Sequence, residues 1–78
     1  MNIYLVEIKD QRKLYMDFYS GHVIAANSPI TARKMAAQIA ADEGEEVWKS
    51  ITLTDVELLA KNVSRSKEEI ILSNFYGT

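Results

Sequence analysis

The chain has no cysteine, one proline, three glycines, one histidine and one tryptophan among its 78 residues. Without cysteine there is no disulfide, no thiolate nucleophile and no Cys-based zinc site, so stability must come from packing. The glycines, Gly21, Gly44 and Gly77, are isolated, which excludes a glycine-rich loop wrapped around phosphate. A single histidine, His22, leaves no second imidazole for a His-rich metal site. No apolar run approaches the roughly 18 residues of a membrane span. The opening MNIYLVEIKDQRK turns charged after an apolar stretch of about five residues and lacks a small-residue cleavage site, so the expectation is a cytoplasmic protein without a secretory leader. An excess of one charge is also missing: nine basic against eleven acidic residues give a net charge of −2. That supplies no general field to draw in a phosphate backbone, and direct nucleic-acid binding is disfavoured.

What is present is globular. The chain is 47% hydrophobic and 26% charged, a composition that builds a packed core. A chain this short buries only roughly 60% of its unfolded surface, enough for one domain over residues 1–78.

The stretch from Gly21 to Trp48 organises the rest. His22 to Asn27 is a short apolar run suited to a central strand, ending in alanines that let a helix come close. Ser28 followed by Pro29 is a helix start: the serine hydroxyl accepts from free N–H groups, and proline has no donor to lose in the first turn. Ala32, Met35, Ala36, Ile39 and Ala40 form one stripe, with Arg33, Lys34, Gln38 and Asp42 outward. The spacing predicts that Met35 and Ile39 supply most of the buried area and that Gly44 stops the helix. Trp48 then closes the end of the core.

The other segments read as sheet. Asn2 to Ile8 sets Tyr4, Val6 and Ile8 on one face. Leu14 to Tyr19 either begins the second strand or crosses the sheet as an irregular arm. Ile51 to Ala60 changes parity at Thr54-Asp55, which predicts a bulge or bend in a third strand. Glu69 to Tyr76 is the last strand. The order β-β-α-β-β predicts an α+β two-layer sandwich, a mainly antiparallel four-stranded sheet with one helix on one face. Tyr4, Tyr15, Phe18, Tyr19, Phe75 and Tyr76 are more rings than one small core encloses, so an exposed aromatic patch is expected.

Little of this points to catalysis. Ser20 lies two residues from His22, but no orienting acid or oxyanion hole accompanies them, and His22 reads as an ordinary strand histidine. Asp42, Glu43, Glu45 and Glu46 lack the ligand spacing of a calcium loop and read as solvated loop. No catalytic residue, metal or cofactor is expected; binding is the better class.

Tyr19, Val23, Ala25, Ala26, Ser28, Ala32, Arg33, Trp48, Ile71, Leu72, Ser73, Asn74 and Phe75 together resemble a family of small bacteriophage- and prophage-encoded proteins. The shared pattern is a tyrosine, a Val-Val-Ala-Ala-like strand, a capped helix start with Ala-Arg, a tryptophan, and a C-terminal Ile-Leu-x-Ser strand. Two stretches depart from it: SNFYGT replaces a Ser-Phe-Asn-Ala-Gly ending, and the helix opens SPIT instead of with acids. The resemblance implies an accessory phage protein, not a virion shell component, and names no established activity. With no catalytic apparatus in so compact and acidic a chain, the leading expectation is a non-enzymatic protein that acts on a host factor by protein–protein contact, including counter-defence inhibition of a CRISPR effector. In that role Tyr15, Phe18, Tyr19, Phe75 and Tyr76, with Asp42, Glu43, Glu45 and Glu46, would meet a basic site on the host protein. An alternative is a sponge for a nucleotide immune signal, with Tyr19 or Trp48 stacking a base and Arg33, Arg65 or Lys67 holding phosphate. A second alternative is an assembly subunit that forms a homo-oligomer.

Overall fold

The computed structural model describes residues 1–9 and 17–77. Strand β1 (Asn2–Ile8) is followed by β2 (Phe18–Ala26), helix α1 (Pro29–Gln38), a short helix α2 (Glu45–Lys49), β3 (Thr54–Ala60) and β4 (Glu69–Tyr76). The sheet runs β3-β1-β2-β4, and each neighbouring pair is antiparallel. Since β1 opposes both β2 and β3, those two run the same way on either side of it, and a crossover through the helices must join them. The result is an α+β fold, a four-stranded antiparallel sheet with helix packed against it. Among the described residues no helix is long and apolar enough to cross a membrane.

The pleat puts Tyr4, Val6 and Ile8 of β1 with Ile24 and Ala26 of β2 under the helical layer, where Ala32, Ala36, Ala37 and Trp48 meet them. Alanine on both surfaces lets α1 lie close to the strands, so contact replaces bulk as the source of cohesion. The start of α1 follows its sequence signal: Ser28 Oγ accepts from the Thr31 N–H at 3.2 Å and Pro29 takes the first turn.

The end of α1 differs from expectation. The helix stops at Gln38, and Ile39, with φ of −110°, has already left helical geometry. Gly44, expected as the stop, sits at φ +82° and instead opens α2. Two causes act together. Asp42 and Glu43 would lie at the negative end of a longer helix dipole, and Glu43 turns inward, which a continuous helix would not permit. The buried face is also rolled from the expected stripe: Ala32, Ala36 and Ala37 are buried, Met35 is half-buried and Ile39 is exposed.

Strand β2 reaches back to Phe18, so Phe18 and Tyr19 belong to the sheet; Tyr15 lies outside the described residues. The expected break at Thr54-Asp55 is not a bulge within a strand. Ile51 to Leu53 form a turn, held by Ser50 Oγ accepting from the N–H groups of Thr52 and Leu53 at 3.3 and 3.2 Å, and β3 begins only at Thr54. Side chains in that turn carry no sheet parity, which is why the alternation failed there. The irregularity between β1 and β3 lies further along, between Ile3 and Tyr4, where Leu59 is the unpaired extra residue. From β3 the chain crosses the end of the sheet to β4, tied by Val63 N–H to Met1 O at 2.8 Å and Asn27 N–H to Glu68 Oε2 at 2.9 Å.

Candidate functional site

Two regions gather the side chains with chemistry in them: a ring cluster beneath the helices, and the outer strand β4 with the uncovered face beside it. In the first, Trp48 is fully buried and its ring lies 4.8 Å from that of His22; Tyr19 lies 4.9 Å from His22 and 4.8 Å from Phe75. A bulge at Ser20 makes this possible. The register between β2 and β4 passes from Tyr19↔Phe75 to Gly21↔Asn74, so Ser20 is extra and Tyr19 turns onto the same side as His22.

Glu43 anchors the cluster. One carboxylate oxygen accepts the Trp48 indole N–H at 2.7 Å, and the other accepts the Tyr19 and Ala41 backbone N–H groups at 3.2 Å each. A buried carboxylate is costly unless its lone pairs are filled, and three donors fill them here. His22 Nδ1 is 2.7 Å from Ser73 Oγ, while Nε2 has no partner. Burial holds the imidazole neutral and pulls its pKa down to about 4, against a smaller upward pull from the charge of Glu43. Ser20 is engaged elsewhere, accepting from Asn74 Nδ2 at 2.9 Å.

The second region is open. Strand β4 is an outer strand of the sheet, and among the described residues no strand pairs with its far side. Within EIILSNFY only Glu69, at the start, is charged, and there is neither lysine nor proline to discourage pairing. Its side chains stay in solvent: Leu72 is 66% exposed, and Phe75 and Tyr76 are each 48% exposed. Alongside runs a groove of about 340 Å³ on the sheet face away from the helices, lined by Leu5, Glu7, Gly21, Val23, Leu72 and Asn74. Gly21 lets β1 and β2 approach closely at the floor of that groove, because a Cβ there would come within 3.2 Å of both Glu7 Cγ and Val6 O.

The residues expected at a protein-binding surface divide between these regions. Phe75 and Tyr76 are exposed on β4. Tyr19 is half-buried, and Phe18 is buried with its ring stacked 5.2 Å from that of Tyr76. Asp42, Glu45 and Glu46 are exposed, but Glu43 is part of the core and cannot belong to an acidic docking face. For the nucleotide-binding set the structure brings no cluster together. Trp48 offers no exposed ring face. Arg33 donates to Ser50 O at 2.9 Å and to Thr54, beside the start of β3. Arg65 pairs with Glu69 at the start of β4, holding that carboxyl below the usual range, and Lys67 is exposed in the same loop. Thr54 pairs with Ile8, whereas Glu69 pairs with Ala25 and Ala25 with Ile3, so these cations sit at opposite ends of the sheet.

Sequence reasoning did not single out Gly21, Asn74 and Leu72 as a groove. The legible signal was the nearly charge-free final strand; its position at the sheet edge is a property of topology. No protein-family profile, curated protein or solved structure matches this chain.

Proposed function

We propose that this chain is a non-catalytic binding protein that engages another protein through β4 and the groove beside it. The observation that carries the reading is an outer strand with which no described strand pairs on its far side, and on which Leu72, Phe75 and Tyr76 are exposed. An added strand would take its register from the β4 backbone, while apolar side chains of the partner fill the groove above Gly21. The ring cluster supports the same reading by packing Tyr19 against Phe75, so little conformational freedom is lost there on binding. The resemblance to phage-encoded proteins gives the setting: a host factor, with inhibition of a defence complex as the biological role.

A nucleotide sponge is the weaker reading, because Trp48 is enclosed and Arg33 and Arg65 are already engaged. The test is affinity capture from bacterial cells with wild type and with Leu72→Lys/Phe75→Lys, followed by reconstitution of the captured protein with purified chain. We expect wild type to retain a defined protein in near-stoichiometric amount and the variant to lose it. Equal retention by both, or a retained small mass in place of a protein, overturns the reading. Light scattering on the purified chain separates hetero-association from β4 pairing between two copies.

A further inference from the structure

On the β3 side of the molecule, the first turn of α1 and the turn after α2 border an open cleft of about 350 Å³ lined by Ile30, Arg33, Lys34, Lys49 and Ile51. Ile30 is 66% and Ile51 75% exposed. Two large aliphatic side chains facing one cleft are costly to leave in water. Every charged residue of the lining is a cation, although the chain as a whole is acidic.

The charges are also little compensated among the described residues. Arg33 is fixed by Ser50 and Thr54 through a carbonyl and a hydroxyl, and among the described residues neither it nor Lys34 has a carboxylate partner. Lys49 has Glu46 at 3.8 Å, a solvent-exposed pair of small worth. Both walls are preformed, one by the capped start of α1 and the other by the Ser50 turn. We propose that this cleft is a second recognition site, one that takes an acidic–aliphatic peptide segment with a leucine-like side chain between Ile30 and Ile51 and flanking carboxylates on Lys34 and Lys49.

An anionic membrane is the poorer occupant. Glu45 and Glu46 lie on the same short helix as Lys49 and would face the same headgroups, and two isoleucines make a small apolar footprint. A short peptide covers less of α2 than a membrane would, displaces only the weak Glu46–Lys49 pair, and is placed against Arg33, which Ser50 and Thr54 hold.

The test is chemical-shift mapping of the full chain with the synthetic peptide Glu-Glu-Leu-Leu-Glu-Glu. Comparison probes are Lys-Lys-Leu-Leu-Lys-Lys, Glu-Glu-Ser-Ser-Glu-Glu and phosphatidylglycerol-containing vesicles. We expect the acidic leucine peptide alone to shift the amides of Ile30, Lys34, Lys49 and Ile51. Lys34→Glu/Lys49→Glu should weaken that binding by about tenfold or more, and higher salt should weaken it too. Leu72→Lys should leave it unchanged, and retained amide dispersion in each variant shows that the fold is intact. Shifts elsewhere, equal binding of the basic or serine peptide, vesicle binding in place of peptide binding, or no shift at millimolar peptide overturns the proposal. Concentration-dependent shifts of the same amides without peptide would also overturn it, by assigning the cleft to a second copy.

Discussion

Glu43 is the residue on which the packing turns, because one carboxylate satisfies three donors, the buried Trp48 indole N–H and the part-buried N–H groups of Tyr19 and Ala41. Replacing it with alanine leaves the Trp48 indole N–H without its acceptor, a loss of about 2–3 kcal/mol for one orphaned buried donor next to a small cavity. Glu43→Gln keeps one acceptor and should lose less; urea denaturation of both variants orders them. His22 gives the second consequence at this scale. The folded state keeps the imidazole neutral down to about pH 4, whereas the unfolded chain protonates near pH 6.5. Stability from the neutral imidazole is therefore complete above the unfolded value. It is drawn down as pH falls from 6.5 to about 4, where the folded state also takes up the proton. The loss is up to about 3 kcal/mol, reduced towards about 2 by solvent screening. Urea midpoints across that window should fall with pH in wild type and flatten in His22→Gln; an unchanged slope in the variant assigns the dependence to another group.

At the scale of elements, α1 is where reading the sequence worked best and then stopped working. Ser28 and Pro29 mark its start because capping is local chemistry, settled within three residues. Its end is not local: Glu43 reaches Tyr19 and Trp48, partners that a periodicity argument along one segment never meets. The same distinction separates β1 and β4, whose bounds follow from their own residue types, from Ile51 to Leu53, whose apolar pattern imitates a strand inside a hydroxyl-capped turn. The corrected face of α1 has a measurable consequence. Ile39→Gln should cost about 1 kcal/mol or less, since the residue is 38% exposed. Ala36→Leu should cost about 1–3 kcal/mol by forcing α1 off the sheet. The opposite order in thermal or urea denaturation would restore the original stripe.

For the whole molecule, among the described residues the helical layer covers one face of the sheet, and the strands at its two edges, β3 and β4, carry most of the exposed strand side chains. The arrangement is asymmetric in charge as well. On the β3 side Asp55 and Glu57 lie exposed along the outer strand, a pattern that discourages edge pairing, whereas β4 is free of charge beyond Glu69. The contrast in charge between the two segments was legible in their residues, but which strands lie at the edges was not, because either terminal segment could have been central. Exposed rings expected from composition do exist; among the described residues they reduce to Phe75 and Tyr76, since Phe18 is stacked inside and Tyr19 is half-buried.

Amide hydrogen exchange across Glu69 to Tyr76, compared between the free chain and its complex with the captured protein, addresses the docking strand directly. Strand addition should slow exchange along β4 and leave α1 unchanged. Unchanged exchange in β4 with new protection confined to the helical side would contradict docking through the sheet edge.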